Sequence, residues 1–446
     1  MLKPCNAVAA ALALGLPLAA QNAAPPASLG ASAEKQLPEL TEIYKNLHRH
    51  PELSRHEERT SAVLAGELRK LGYTVTEHVG RYEDGQPGFG VVAVLENGPG
   101  KRLLLRTDMD ALPVEEKTGL DYASKVRATN AQGQEVGVMH ACGHDLHMTV
   151  LLGVAREMAE RKSQWQGTLM LIGQPSEEII QGAQAMLADH LYERFGKPDY
   201  IVAEHDFPDV PAGSVAFKSG PMLASATTLN VTMRGIGGHG SAPQAGKDPI
   251  VLAAEFVLVA QTIVSRQIDP QQPAVLTVGT IHGGTKNNII PDEVTMGLTL
   301  RTFSLPERDQ IVADIHRTAD GLAEAYGIPA DRMPIITMTE LTPVTYNDPA
   351  LNERIRADAV ASLGGDHVFD MPSAMGSEDV GAFSLNNQIP AVMYSLGATD
   401  AARLAEHRQA GKPMPSLHSA LFYPDYAEAI PAGVTAMSAI ALDLLH

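Results

Sequence analysis

Short apolar runs that end in polar clusters recur through the first half of the chain. Val91–Leu95 is one. Leu103–Leu105 runs into Asp108 and Asp110, and Leu169–Ile172 into Gln174-Pro175-Ser176-Glu177-Glu178. Tyr200–Ala203 runs into Glu204-His205-Asp206, and much later Ala391–Leu396 ends at Gly397. Between these runs Met148, Leu151, Leu152, Ala155, Met158 and Ala159 repeat at helical spacing. Strands alternating with helices predict an α/β fold on a largely parallel, buried sheet. Such sheets bind ligands at the carboxyl ends of their strands, where the acids and His205 fall.

The rhythm changes near Ser225. Thr227–Met233 reads as a strand, and Pro249–Arg266 as a helix with Asp248 as its cap and Pro249 in its first position. Ala274–His282 and Glu293–Thr302 read as strands, Pro306–Tyr326 as a helix and Pro334–Leu341 as a strand. The order β-α-β-β-α-β is the split ferredoxin-like pattern. It predicts a lid domain at 225–341 inserted into a catalytic domain formed by 37–224 and 342–446.

The N-terminus has a different character. Lys3 precedes an apolar, Ala- and Leu-rich run from Ala7 to Ala20, followed by small residues. That is the pattern of a secretory signal over residues 1–20, too short to span a bilayer. Residues 21–36, rich in Ala and Pro, read as a linker. The expected location is therefore outside the cytoplasm, periplasmic or secreted. Removing the signal would remove Cys5, one of the two cysteines, and leave only Cys142, so no internal disulfide is expected. A formal charge of −18 argues against nucleic-acid and anionic-membrane partners, both of which need basic patches.

The densest chemistry is Met139-His140-Ala141-Cys142-Gly143-His144-Asp145-Leu146-His147-Met148, at the start of a helix. Cys and His together suit Zn²⁺ or a neighbouring transition metal. A closed structural zinc site would want several local cysteines, and none exist here. A packed core thiol among surface histidines fits the same residues. Glu177 and Glu178 adjoin at a strand end, where one can ligate a metal and the other serve as general base, or both can form a solvated turn. Asp108 and Asp110 could orient ligands or cap a turn. Gly235-Ile236-Gly237-Gly238-His239-Gly240 satisfies G-x-G-x-x-G, but Ser241-Ala242-Pro243 follows where a dinucleotide fold needs a helix, and no acid follows the next strand.

Taken together these motifs resemble the amidohydrolase branch of the di-metal aminoacylase and carboxypeptidase clan, which includes hippurate hydrolases and N-acyl-amino-acid amidohydrolases. The resemblance runs from His50-Pro51-Glu52-Leu53-Ser54 through Asp108–Pro113, His140–Asp145 and Gln174–Glu178. It continues through Gly237–Gly240, Asn288–Asp292, Met375-Gly376-Ser377-Glu378-Asp379 and Leu417-His418-Ser419. It implies two divalent ions per subunit, drawn from Zn²⁺, Mn²⁺, Co²⁺ or Ni²⁺, with Cys142 bridging them. His144 and Glu178 would complete one ion's ligands, and His205 and His418 the other's. Glu177 would be the general base and Asp110 an orienting residue. His239, from the partner's lid in a homodimer, would polarise the scissile carbonyl, and Asn288 and Arg301 would hold the substrate carboxylate.

The expected activity is hydrolysis of an N-acyl or N-aroyl amino acid. A small dipeptidase or carboxypeptidase, and a silent metal or acyl-amino-acid binding protein, are the rivals. Ser176 replaces the common Ala of the family's Q-P-A-E-E, and Glu204 and Asp206 flank His205 where relatives often carry apolar or aromatic residues. Two added acids beside a cationic site are expected to bear on metal preference or on the acyl pocket.

Overall fold

The computed structural model describes residues 28–446. The signal assigned to 1–20 and the first part of the assigned linker lie outside the described residues. The rest of that linker is corrected: residues 29–36 open the helix Leu29–Arg49. Ser28 caps it by accepting the Ala31 N–H at 3.3 Å. Ala33, Gln36 and Leu40 are buried, and the Gln36 amide donates to Glu157. An Ala-rich stretch reads as low complexity, yet Ala is the best helix former and here it supplies a packing face.

The catalytic domain is an eight-stranded sheet. Its order is Thr74–Arg81, Pro87–Asn97, Gly167–Gln174, Arg102–Asp108, Tyr200–Pro211, Ala391–Thr399, Val215–Phe217 and Val368–Asp370. The strands Gly167–Gln174, Arg102–Asp108, Tyr200–Pro211 and Ala391–Thr399 are parallel, and antiparallel pairings flank them on both sides. Leu103, Leu104 and Leu105 are all fully buried, as both faces of a covered parallel strand require. The helices Leu29–Arg49, His144–Glu160 and Tyr426–Leu444 pack together on one face. Gly182–Ala188 and the turn Asp379–Ser384 cover the other.

Register decides where the site lies. Asp108 pairs with Gln174, so both strands end level. The strand Tyr200–Pro211 is paired with Arg102–Asp108 only as far as Ala203 opposite Arg106. It then continues beside Ala391–Thr399. Glu204, His205 and Asp206 thus lie inside a long strand, not at its end as the sequence pattern suggested, but beyond the edge of its neighbour.

Residues Ser225 to Thr342 form a four-stranded antiparallel sheet in the order Ala274–Gly283, Glu293–Thr302, Ser225–Arg234, Ile335–Thr342. The helices Pro249–Gln267 and Leu305–Ala325 pack with it around their own apolar core. Asp248 caps the first helix, its side chain accepting the Ile250 N–H at 2.8 Å.

Gly182 fixes the turn that carries Glu177 and Glu178. A Cβ there would fall inside the van der Waals shell of the Pro175 carbonyl oxygen and 2.9 Å from the Gln174 side-chain nitrogen. Gly182→Ala is expected to cost about 2 kcal/mol through this overlap, seen as a lower urea midpoint. It should also weaken metal retention, because the turn must shift.

Candidate metal centre

The opening decapeptide is threaded rather than helical until Gly143. Met139 and Leu112 exchange backbone hydrogen bonds at 3.0 and 3.1 Å, and the Ala141 carbonyl accepts the His418 N–H at 2.7 Å. Gly143 caps the helix His144–Glu160 at φ +77°. A Cβ at Gly143 would lie 2.5 Å from the Asp206 carboxylate oxygens, so both conformation and space demand glycine. This geometry carries Cys142 into the interior with His144 two residues on, at the first position of the helix.

The five expected ligands come together. The ligand atoms of Cys142, His144 and Glu178 all lie within 4.8 Å of one another. His205 Nε2 is 3.5 Å from Cys142 Sγ, and His418 Nε2 is 3.4 Å from Glu178 Oε2. His144 Nδ1 donates to the Asp110 carbonyl oxygen at 2.8 Å. His205 Nδ1 donates to the Asp206 carbonyl oxygen, also at 2.8 Å. Each ring therefore carries its proton on Nδ1 and turns an Nε2 lone pair inward, the usual support for a metal-binding histidine. His144 Nε2 and Glu178 Oε1 are buried without any hydrogen-bond partner. Buried polar atoms are rarely left so, and two that face a common space fit a cation. Cys, His and carboxylate donors suit a transition metal.

Around these residues lie further acids and histidines whose polar atoms are largely taken up by one another. His147 donates from Nδ1 to Asp108 at 2.7 Å and accepts the Asp206 N–H on Nε2 at 2.9 Å. Asp108 also accepts from Arg106 at 2.5 Å. Arg106, fully buried, bonds Glu378 at 2.7 Å, and Asp379 accepts from Gln174 at 2.6 Å and from the Ala183 N–H at 3.0 Å. These groups build the floor beneath the ligands. Of the motif's other polar residues, Asp145 accepts from His48 Nδ1 at 2.6 Å. Burial works against a charged His48, but Asp145 and Glu116 outweigh it and lift its pKa to about 9. Burial holds His140 neutral, its pKa lowered to about 4.

Asp110 holds the two glutamates in place. Its carboxylate accepts the Glu177 and Glu178 N–H groups, each at 3.1 Å, and the Ser54 hydroxyl at 2.6 Å. Glu177 Oε2 lies 3.8 Å from His144 Nε2. Burial first, then the charges of Glu378 and Glu178, push the Glu177 carboxyl well above its ordinary range. Ser176 adopts φ +53°. Its hydroxyl meets Tyr82 Oη at 2.6 Å and accepts the Arg55 N–H at 2.9 Å, so the departure from Ala adds a tie to the base-bearing turn. Glu204 and Asp206 are buried. They meet Tyr394 and His147 rather than lining a pocket open to substrate, which corrects the expectation for the acyl pocket.

The lid residues are placed elsewhere. Arg301 reaches back to the catalytic domain, its Nη1 donating to Ser377 at 2.5 Å beside Glu378. His239 and Asn288 are exposed on the lid, His239 on one strand of a small antiparallel arm and Asn288 in the turn that leads into the other. Arg106, Glu57 and Tyr82 had no role from the sequence. Glu57 accepts the Ser176 N–H at 2.8 Å across a long separation in the chain, which no local pattern announces.

An α/β sheet bearing a buried S, N and O donor set at its strand ends, with an inserted α+β lid, defines a two-domain metallohydrolase. The model of Peptidase family M20/M25/M40 matches residues 104–413, and the chain belongs to that family. It is 37% identical over 349 residues to the hippurate hydrolase of Campylobacter jejuni, covering 77% of this chain and 85% of that one. It is 35% identical over 360 residues to thermostable carboxypeptidase 2 of Saccharolobus solfataricus, covering 80% and 85%. A solved dinuclear metal-binding peptidase of the M20 family from Bacillus subtilis superposes with a TM-score of 0.74 at 26% identity, over 92% of this chain and 99% of that one.

Metal loading should be strongly pH-dependent. Without an ion, burial pushes the Cys142 thiol well above its ordinary range and Glu178 to about 8. Burial opposes a charged His144, but Asp108 and Asp110 outweigh it and raise its pKa to about 9. At neutral pH these groups hold protons that an ion must displace. Apparent affinity is expected to rise with pH, and loading to release protons. Calorimetry in two buffers of different protonation enthalpy checks this; loading without proton release contradicts it.

Proposed function

We propose that the protein is a metal-dependent amidohydrolase that cleaves the amide bond of N-acyl or N-aroyl amino acids, giving a carboxylic acid and a free amino acid. The observation that carries the reading is Glu177. Its buried carboxylate stands at the rim of the Cys142, His144 and Glu178 donors, with its backbone held by Asp110. The hippurate hydrolase relative supports an acyl-amino-acid substrate. The carboxypeptidase relative supports a peptide as the second reading.

Cys142, His144, Glu178, His205 and His418 would hold two divalent ions. When bound, the ions supply Lewis acidity toward a water molecule and toward the substrate carbonyl. Glu177 takes the proton of the attacking water and returns it to the leaving amine. An environment that raises its proton affinity suits it to carry that proton between the two events. Asp110 keeps the base and the neighbouring ligand in register. Arg301 would grip the substrate carboxylate, a planar anion that a guanidinium matches with two parallel hydrogen bonds, and Asn288 would reach it from the arm that also carries His239, across the homodimer.

His239 would act across a homodimer formed through the lid. The outer face of the lid helix Pro249–Gln267 supports this, because Ile250, Val251, Leu258 and Val259 are exposed there, Leu258 to 71%. A contiguous apolar face of this kind favours a protein partner. The residue pattern of 1–20 supports export to the periplasm or beyond.

Glu177→Gln is expected to lower kcat by roughly 10³-fold while metal content stays unchanged; undiminished turnover would remove Glu177 from the role of general base, and no turnover in the metal-loaded wild type would favour a binding protein. Hippurate, acetyl-amino acids, indole-acetyl conjugates and dipeptides, offered to Zn²⁺-, Mn²⁺-, Co²⁺- and Ni²⁺-loaded protein, separate the readings, with hydrolysis of acylated amino acids expected. Leu258→Lys should give a monomer by sedimentation that retains metal and has lost activity. An active monomer would remove His239 from the mechanism.

A further inference from the structure

The arm that carries His239 and Asn288 is a rigid block. Gly238 and His239 pair with Ile290 and Ile289. The Gly240 N–H donates to the Asn288 carbonyl oxygen at 2.8 Å, and the Ala242 N–H to the His239 carbonyl oxygen at 2.8 Å. A Cβ on Gly240 would sit 3.1 Å from the Asn288 carbonyl, so the two segments are in close contact. Within the block the His239 ring is held from one side. The Ser241 backbone N–H lies 3.1 Å from His239 Nδ1, and Ser241 Oγ lies 2.7 Å from the same nitrogen. A backbone N–H can only donate. Nδ1 must therefore present a lone pair, and a neutral imidazole then carries its one proton on Nε2.

We propose that Ser241 is a positioning residue that sets His239 as an Nε2–H hydrogen-bond donor, so that the ring reaches the neighbouring subunit's site ready to donate to the oxygen of the amide under attack. The proposal rests on the role given to His239 above and adds its direction. With Nδ1 occupied by two donors and Nε2 protonated, the neutral ring has no lone pair left with which to take a proton from water. It is committed to stabilising negative charge as that charge develops. A donor set in advance needs no reorganisation when the tetrahedral species forms, and this is where such groups contribute most to rate. Two of the three histidines proposed as ligands use the opposite arrangement. Carbonyl oxygens accept from Nδ1 of His144 and His205, which leaves Nε2 as a lone pair. Backbone groups thus sort these histidines into ligands and a donor: a carbonyl oxygen behind His144 and His205, an N–H behind His239.

The test is ¹⁵N NMR of the imidazole nitrogens in the metal-loaded, full-length protein at mildly alkaline pH, with His239 assigned by difference against His239→Gln. The wild type is expected to show Nδ1 unprotonated and Nε2 protonated. Ser241→Asp sets a carboxylate against Nδ1 and selects the opposite tautomer or the imidazolium. Its kcat should fall roughly 100-fold with KM within about threefold. Ser241→Thr, which keeps both donors, should restore the wild-type spectrum and rate. Ser241→Ala, which keeps only the backbone donor, should lose about tenfold or less in kcat. A proton on Nδ1 in the wild type overturns the proposal, as does a Ser241→Asp enzyme with a switched ring and wild-type kcat. A His239→Gln enzyme with wild-type kcat overturns instead the role of His239 itself. The two failures are distinguishable, because the wild-type spectrum would still show Nε2–H.

Discussion

The structure depends on lone pairs held facing one another in a space where no protein group answers them. His144 Nε2 and Glu178 Oε1 are buried and unpaired, and the Cys142 sulfur lies between His205 and Glu178. Left alone, such atoms cost free energy and take up protons, because desolvation penalises their charged forms. Divalent cations answer both problems at once. The surrounding hydrogen bonds have one common effect. The carbonyl oxygens of Asp110 and Asp206 orient the histidine ligands, and the Asp110 carboxylate locks the glutamate turn.

The sheet supplies what local structure cannot. Arg102–Asp108 and Gly167–Gln174 end level, and Tyr200–Pro211 outruns its neighbour, so one strand delivers His205 above the place where another has stopped. Below this edge lies a buried layer in which Arg106 is paired with Asp108, Glu378 and Asp379. Removing one member of such a layer leaves an uncompensated charge, so Glu378 and Asp379 of the segment Met375–Asp379 have a structural role. The lid works by different means. Its arm is exposed and held by its own backbone hydrogen bonds.

Much of this was legible in the sequence. Strand ends marked by acids, a β-α-β-β-α-β insert capped by Asp248, and Cys142 between two histidines follow from local patterns. Two kinds of information were not legible. Ala33 and Gln36 read as linker because composition does not reveal a face until helices stand ready to pack against it. Glu204 and Asp206 were expected to bear on metal preference or on the acyl pocket; their burial and their partners Tyr394 and His147 could not be read from a strand buried on both faces. Long-range partners such as Glu57 with Ser176, or Arg106 with Glu378, join segments that only the tertiary fold brings together.

The central claim is that one thiolate sulfur serves two ions. X-ray absorption at the metal edge, on protein carrying two ions per subunit, tests it most directly. The account predicts a sulfur neighbour at about 2.3 Å for both ions and a metal–metal vector of roughly 3.5–4 Å, with the sulfur signal absent from Cys142→Ser. Two fully occupied ions with only nitrogen and oxygen neighbours would contradict it.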